Sequence, residues 1–462
     1  MNGKSVVLIN PQSNKDRNNE IFPRLSLLLL GTLLQQRGHN VKVIHMVADN
    51  MSSEDIVAAC HKRRGDVVGI TATTYQTKYT KMVSKAIKQS NDKILIVLGG
   101  PHLAATYADD GLDAFPYIDV GVYGEGERSF VDIIEGKTLK DIKGIIYRQS
   151  GGVITTEKGD FVDLDSLPFA NPKLVNLKAF SGPNPIGRNK IMQIMASRGC
   201  PFNCTFCCKP IYGRNVRFHS AEYVIEEACF LHKDFGIEEI CLQDDTFNLN
   251  QDWMISILEG IIKRGLHKKV ILRIGLRADQ QLIREDVLRL AKRSGVWLAF
   301  IGVESGNQYM LDRMNKNISL REIERAFKLC QQVGIKGEAP FILGLPGETH
   351  ASVAQNLRFW KSLKSYSSWF SKAMPFPGTA FRREVIKKGH IIAGDYDDYS
   401  PDTSRVRTDE LSVADLDEWY KYCNKIMLRD LMWQATKDPL LMYRTIKGFG
   451  PKEIITKMLR NV

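Results

Sequence analysis

No stretch of this 462-residue chain is apolar for long enough to cross a bilayer as a helix. The longest apolar run, Leu25 to Leu34, is broken by Ser26, Gly31 and Thr32 and reads as a buried helix. A secretory layout is missing as well, since that run starts beyond Pro23 without a basic leader. A cytoplasmic, reducing setting is therefore expected, in which the nine cysteines are thiols or metal ligands rather than disulfides. The net charge of +12, spread along the chain, favours acidic partners such as phosphates, carboxylates or nucleic acid, but no arginine-rich arm or nucleic-acid motif accompanies it, so nucleic acid is poorly supported as a partner. The charge reads first as an ordinary solvated surface, with a mild preference for an anionic substrate. No internal repeat or low-complexity segment stands out. With 44% hydrophobic and 25% charged residues the chain is globular in composition, and its length calls for two or three domains.

What is present first is an alternation of strand and helix signals. Short apolar runs rich in β-branched residues occur at Ser5–Asn10, Val41–Met46, Val67–Thr71, Ile94–Leu98 and Val120–Val122. Between them lie helical stretches over Leu25–Gln36, Ser53–Lys62 and Thr80–Gln89. Strands without polar alternation, separated by helices, predict a parallel sheet covered on both faces: a doubly wound, Rossmann-like α/β domain with its ligands beyond the carboxyl ends of the strands. Residues 141–189, with Gly151-Gly152, Pro168, Pro172, Pro183 and Pro185, read as a linker containing a hairpin near Gly144–Thr156. From Lys190 the alternation resumes with strands at Ile191–Ala196, Glu239–Gln243, Val270–Gly275, Trp297–Val303, Ile335–Ile342 and Trp369–Ala373. Six strand–helix units predict a partial (β/α)6 barrel whose chemistry sits at the strands' C-terminal ends. The expected division is 1–140, 141–189, 190–374 and a mostly helical, substrate-capping region over 375–462.

Directly after the first barrel strand stands Arg198-Gly199-Cys200-Pro-Phe-Asn-Cys204-Thr-Phe-Cys207. Three cysteines spaced Cys-x3-Cys-x2-Cys on one loop can bend round a cubane cluster. Electron-transfer clusters use four cysteines; three leave one iron open to an exogenous chelator. A zinc site remains an alternative, with Cys208 adjacent to Cys207 and His219 further along.

This spacing, with Phe206 before the last cysteine, resembles the signature of the radical S-adenosylmethionine (SAM) superfamily. The resemblance implies a [4Fe–4S] cluster on Cys200, Cys204 and Cys207. In that family SAM chelates the free iron and is cleaved to a 5′-deoxyadenosyl radical, which abstracts hydrogen from unactivated carbon. Further loops match in order. Asp244-Asp245-Thr246-Phe247 resembles a variant of the SAM amino-group site, departing from the commoner Gly-Gly-Glu form. Arg277 matches a partner for the SAM carboxylate. Gly302-Val-Glu304-Ser305-Gly306 puts Glu304 near the ribose hydroxyls, and Gly344-Leu-Pro346-Gly347-Glu348-Thr349 follows the fifth strand. Glu348 and Thr349 also suit a plain helix cap.

The first domain resembles the cobalamin-binding domain fused ahead of many radical SAM cores. The matching pieces are Pro23, Gly69-Ile-Thr71 running through Thr73 to Tyr75, Gly99-Gly100-Pro101-His102, and Tyr123-Gly124-Glu125-Gly126-Glu127. Glycines after strands admit a planar ring close to backbone. The Asp-x-His-x-x-Gly that supplies a lower histidine ligand is missing, so cobalt is expected without one. The combination implies a cobalamin-dependent radical SAM methyltransferase that methylates an unactivated carbon, or phosphorus, of a small-molecule or peptide substrate. Flavodoxin or ferredoxin is the expected electron donor. Cyclisation, ring contraction or another rearrangement without methyl transfer is the alternative, and a non-catalytic iron–sulfur or zinc protein the second.

Overall fold

The computed structural model describes residues 3–13, 22–62, 66–180, 190–392, 394–401 and 403–437. Pro183, Pro185 and the chain beyond 437 lie outside the described residues.

Seven strands form the first sheet: β1 (Ser5–Asn10), β2 (Asn40–His45), β3 (Val67–Thr71), β4 (Leu95–Gly99), β5 (Val120–Val122), β6 (Ile145–Gln149) and β7 (Gly152–Thr155), in the order β2-β1-β3-β4-β5-β6-β7. The first five are parallel. Their side chains are buried on both faces, as the unbroken apolar runs require. The order 2-1-3-4-5 is that of a doubly wound fold. The hairpin expected near 144–156 is present, and it adds two antiparallel strands to the edge of this sheet through β5.

A two-residue pair, β9 (Ser197–Arg198) with β10 (Arg217–Phe218), follows the first barrel strand, β8 (Ile191–Ile194). The barrel continues through β11 (Glu239–Leu242), β12 (Ile271–Leu276), β13 (Val296–Ile301), β14 (Lys336–Leu343) and β15 (Ser367–Lys372). These six strands are parallel and run β15-β14-β13-β12-β11-β8, an open barrel. Helix boundaries follow local chemistry. Ser220 caps Ala221–Phe235, and a Ser319–Glu322 capping box opens Leu320–Val333; both helices end on a left-handed glycine, Gly236 and Gly334. The edge of β15 is covered by the helix Val413–Lys437, whose Asn424 side chain accepts from the Phe370 N–H at 3.0 Å and donates to the Phe370 carbonyl at 3.1 Å.

The carboxyl ends of the two sheets face each other. Gln193 of β8 donates to the Pro23 carbonyl at 2.8 Å. On another side, Lys81 pairs with Asp395 and Asp397 at 3.2 and 2.9 Å, tying the first domain to the segment after the barrel. Among the described residues no helix is long and apolar enough to cross a membrane.

Candidate active site

The three cysteines sit on the loop that joins β9 to β10. Gly199 has φ +92°, and a Cβ there would fall on the Asn215 carbonyl oxygen, so the sharp turn into Cys200 requires glycine. The loop is pinned from outside: the Thr205 N–H donates to Met314 O and the Phe381 N–H to Thr205 O, both at 2.9 Å. Cys200 Sγ lies 3.7 Å from Thr246 Oγ1, and Cys204 Sγ 3.9 Å from Arg277 Nη1. The Cys207 thiol is pushed up to about 11, chiefly by burial, with Cys204, Asp245 and Cys200 adding and Lys209 opposing. The three thiols therefore share one neighbourhood at the ends of β11 and β12. Among the described residues, however, no three His, Cys, Asp or Glu side chains close on a single metal ion. The extra ligands of the zinc alternative are engaged elsewhere. Cys208 Sγ donates to the Pro377 carbonyl at 3.1 Å, and His219 Nδ1 sits 3.3 Å from Asp165 with its ring stacked on Tyr223. Phe206 packs, half-buried, against the main core.

Around this tripod the SAM-loop residues divide into two groups. Asp244 is buried, accepts from Ser197 Oγ at 2.6 Å, and is pushed up to about 7 by burial. Asp245 stands more open, raised by burial against the pull of Lys209. Arg277 stacks on Phe202 with its guanidinium carbon 3.6 Å from the ring centroid, donates to Lys316 O, and makes a 2.6 Å ion-pair contact with Asp279 without hydrogen-bond alignment. These groups border the thiols. The later loops are mostly braced by the protein itself. Glu304 adopts φ +66° and pairs with Lys316 Nζ at 2.8 Å. Ser305 Oγ and the Gly306 N–H both bond Asn356 Oδ1, at 2.8 and 2.6 Å. Pro346 is buried, and Glu348 accepts from the Gly344 N–H; burial pushes Glu348 up to about 8. Thr349 is a helix cap, in a capping box with Ser352.

Where the two sheets meet there is a cavity of about 640 Å³, within the usual size of a cofactor pocket. It is lined by the apolar side chains Leu8, Val97, Val122 and Phe130 of the first domain and by Gln193, Arg198, Tyr212 and Gln243 of the second. Gly99, Gly100, Glu125 and Gly126 line it. Gly100 has φ +101°, and a Cβ would meet the Ala72 backbone N and O at 2.7 Å, whereas a Cβ on Gly99 would meet only Val122 O at 3.9 Å. This leaves a bare backbone floor suited to a flat ring. Thr73, Tyr75 and His102 are not among the lining residues. Thr73 boxes with Gln76, Tyr75 packs edge-on against Phe376 at 5.4 Å, and His102 is buried beside Thr74 (3.2 Å) and Tyr396 (4.9 Å between rings). Burial, with Lys81 adding, pulls His102 down to about 4. Tyr75 and His102 thus pack against the segment after the barrel.

Sequence reasoning missed two features here. One is a set of ion pairs in the cavity wall: Arg198 with Glu125 and Glu127, at 3.1 and 2.6 Å, and Arg217 with Glu125. The other is Glu227, a buried cavity-lining carboxyl that accepts from the Ala170 N–H and is pushed up to about 8 by burial. Its signal was available. Glu227 falls on the same helical stripe as the buried Val224, Ala228 and Leu231.

The comparisons agree with this geometry. The model of the radical SAM superfamily matches residues 194–359, and that of the B12 binding domain matches residues 19–134. An uncharacterized methyltransferase of Pyrococcus horikoshii is 32% identical over 387 residues, covering 82% of each chain. An anaerobic magnesium-protoporphyrin IX monomethyl ester cyclase of Cereibacter sphaeroides is 26% identical, over 88% of this chain and 68% of its own. Among solved structures, the cobalamin-dependent SAM radical enzyme OxsB with aqua-cobalamin and SAM bound superposes with a TM-score of 0.75 at 18% identity, over 99% of this chain and 75% of its own. The radical SAM methyltransferase TsrM of Kitasatospora setae, with cobalamin and a [4Fe–4S] cluster bound, gives 0.68 at 18% identity, over 90% and 82%.

Proposed function

The chain belongs to the radical SAM enzymes that carry a cobalamin-binding domain, with a [4Fe–4S] cluster, SAM and cobalamin as its cofactors, and we propose that it is a methyltransferase acting on an unactivated carbon, or phosphorus, of a small-molecule or peptide substrate. The observation that carries the reading is the cavity between the two sheets, one of whose lining residues, Arg198, stands two positions before Cys200. When bound, the cluster with SAM supplies a hydrogen-abstracting species, and cobalamin a transferable methyl group. The chain's own part is placement. Cys200, Cys204 and Cys207 would hold the cluster, and Asp245 and Arg277 beside them would orient the amino and carboxylate groups of SAM. Gly99, Gly100 and Gly126 would let the corrin approach backbone, and the apolar side chains of the lining would exclude water. The basic balance favours an anionic substrate, and a flavodoxin or ferredoxin in the cytoplasm is the proposed electron source.

A second reading is favoured by the cyclase relative: the same cofactors used for ring formation without methyl transfer. Turnover with methyl-deuterated SAM separates the two. Label in the product supports the methylase. Unlabelled product formed with SAM cleavage supports the cyclase. The absence of SAM cleavage by reconstituted, reduced protein would refute both.

A further inference from the structure

Both ends of the cysteine loop are tied to one carboxylate of the other domain. β9 and β10 pair with Arg198 directly opposite Arg217. Two guanidinium groups facing each other across a hairpin repel unless an anion lies between them. That anion is Glu125, which enters from the loop after β5. Its Oε1 is 3.1 Å from Arg198 Nη1 and also takes Arg217 Nη2, while its Oε2 accepts from the Val162 N–H at 3.0 Å. Glu127 takes the second arm of Arg198 at 2.6 Å. The centre of the set is closed to water: the side chains of Arg198 and Glu125 are 5% and 2% exposed, with Arg217 at 19% on the rim. Each end of this clamp adjoins one of the two sites. On one side only Gly199, at φ +92° where a Cβ would fall on the Asn215 carbonyl oxygen, separates Arg198 from Cys200. On the other side Glu125 is flanked by Gly124 and Gly126, which line the cavity with it.

We infer that Glu125, held by Arg198 and Arg217, is a positioning residue that fixes the cysteine loop against the cavity, so that the two cofactors face each other at one separation and orientation. This deepens the proposed function and rests on its cofactor assignment. Buried ion pairs of this kind add little net stability over an apolar filling, but a guanidinium set between two carboxylates, with Glu125 at its Nη1 and a hydrogen bond to Glu127 at its Nη2, has its direction set by both. That is why the clamp is read as a device for geometry rather than for adhesion. It also gives the Tyr123-Gly124-Glu125-Gly126-Glu127 and Ser197-Arg198-Gly199-Cys200 motifs a joint role, in which each acidic residue of the first answers a cation beside the second.

The test uses the full chain, loaded without oxygen with cob(II)alamin and a reduced cluster. The readout is the magnetic coupling between the two paramagnets, seen as enhanced relaxation of the cobalt signal. In the wild type a single defined coupling is expected. In Glu125→Gln, with wild-type iron and cobalamin content, that single coupling is expected to be lost to a spread of weaker ones, and SAM cleavage to run ahead of product formation. Arg198→Lys keeps the charge but cannot span both carboxylates, and carries the same expectation if Glu125→Gln does not load. Unchanged coupling in a loaded variant overturns the clamp alone. So does loss of both cofactors from both variants in step with their thermal stability, the mark of a merely structural role. A wild type that takes up no cobalamin overturns the cofactor assignment and the clamp with it.

Discussion

Replacing Glu227 with glutamine should make the protein more stable, and by an amount that grows with pH. The carboxyl is buried, lines the cavity, and its pKa is raised from 4.5 to about 8. Between those two values the folded chain holds a proton that the unfolded chain has released, so stability falls as pH rises through the window. Each tenfold change in proton affinity corresponds to about 1.4 kcal/mol, and the full window to about 5 kcal/mol before relaxation of the surroundings reduces it. Glutamine has the shape of the protonated acid, keeps an oxygen for the Ala170 N–H, and does not ionise. The difference between variant and wild type should therefore be near zero at pH 4.5, increase up to pH 8, and level off above it. The assay is thermal unfolding of both proteins, free of cofactor and without oxygen, at half-unit steps over this range. Other buried acids, Glu348 among them, titrate equally in both proteins and cancel in the difference. For a chain of this size the increments correspond to a few degrees in Tm at most. A stability difference that stays constant with pH would falsify the assignment of Glu227 as a neutral, desolvated acid.

Three further outcomes follow from the site. Cys204→Ala should abolish SAM cleavage and the cluster's visible absorption while leaving the far-ultraviolet dichroism unchanged; cleavage that persists contradicts the three-thiolate site. Gly100→Ala should lower stability by about 1–3 kcal/mol, because a Cβ would press on the Ala72 backbone at φ +101°, and should reduce cobalamin retention at equilibrium dialysis. Normal retention would place the corrin elsewhere. Glu304→Gln should cost about 3–5 kcal/mol by leaving the Lys316 ammonium buried without its carboxylate, and Glu304→Gln with Lys316→Met should recover most of it in denaturant unfolding. Recovery by the double variant without recovery of SAM affinity would assign Glu304 a contact to SAM beyond its bracing role.

Much of this molecule could be read before its shape was known, because its signals are local. The β-strands announce themselves as apolar runs buried on both faces, and their observed limits differ from the expected ones by one or two residues, as at Leu95–Gly99 and Ile271–Leu276. The cysteine triplet is legible because the spacing itself is the chemistry. What could not be read is which way a side chain points once the chain has turned. His102 stands beside Gly99 and Gly100 in sequence, yet Gly100 at φ +101° and Pro101 at the first helical position rotate the following residue away from the cavity and into the layer with Thr74 and Tyr396.

The same limit explains the clamp in the cavity wall. Glu125 and Arg198 are each unremarkable in a local window: an acid before a helix start and a basic residue after a strand. Their pairing joins positions more than seventy residues apart, on different sheets, and no periodicity connects them. Charge supplies the one hint that was available. Two arginines bracket the loop, at 198 and 217, and two acids stand in the loop after β5, at 125 and 127. Four charges that all end up buried or nearly so must find opposite charges within reach, since an isolated ion inside a protein is far too costly to keep. Reading them as a complementary set, rather than as separate contacts to a cofactor, follows from desolvation alone once the parallel sheets are set mouth to mouth. On that view the acids of the first domain answer the cations of the second before any ligand arrives, and the ligand binds to a geometry already fixed.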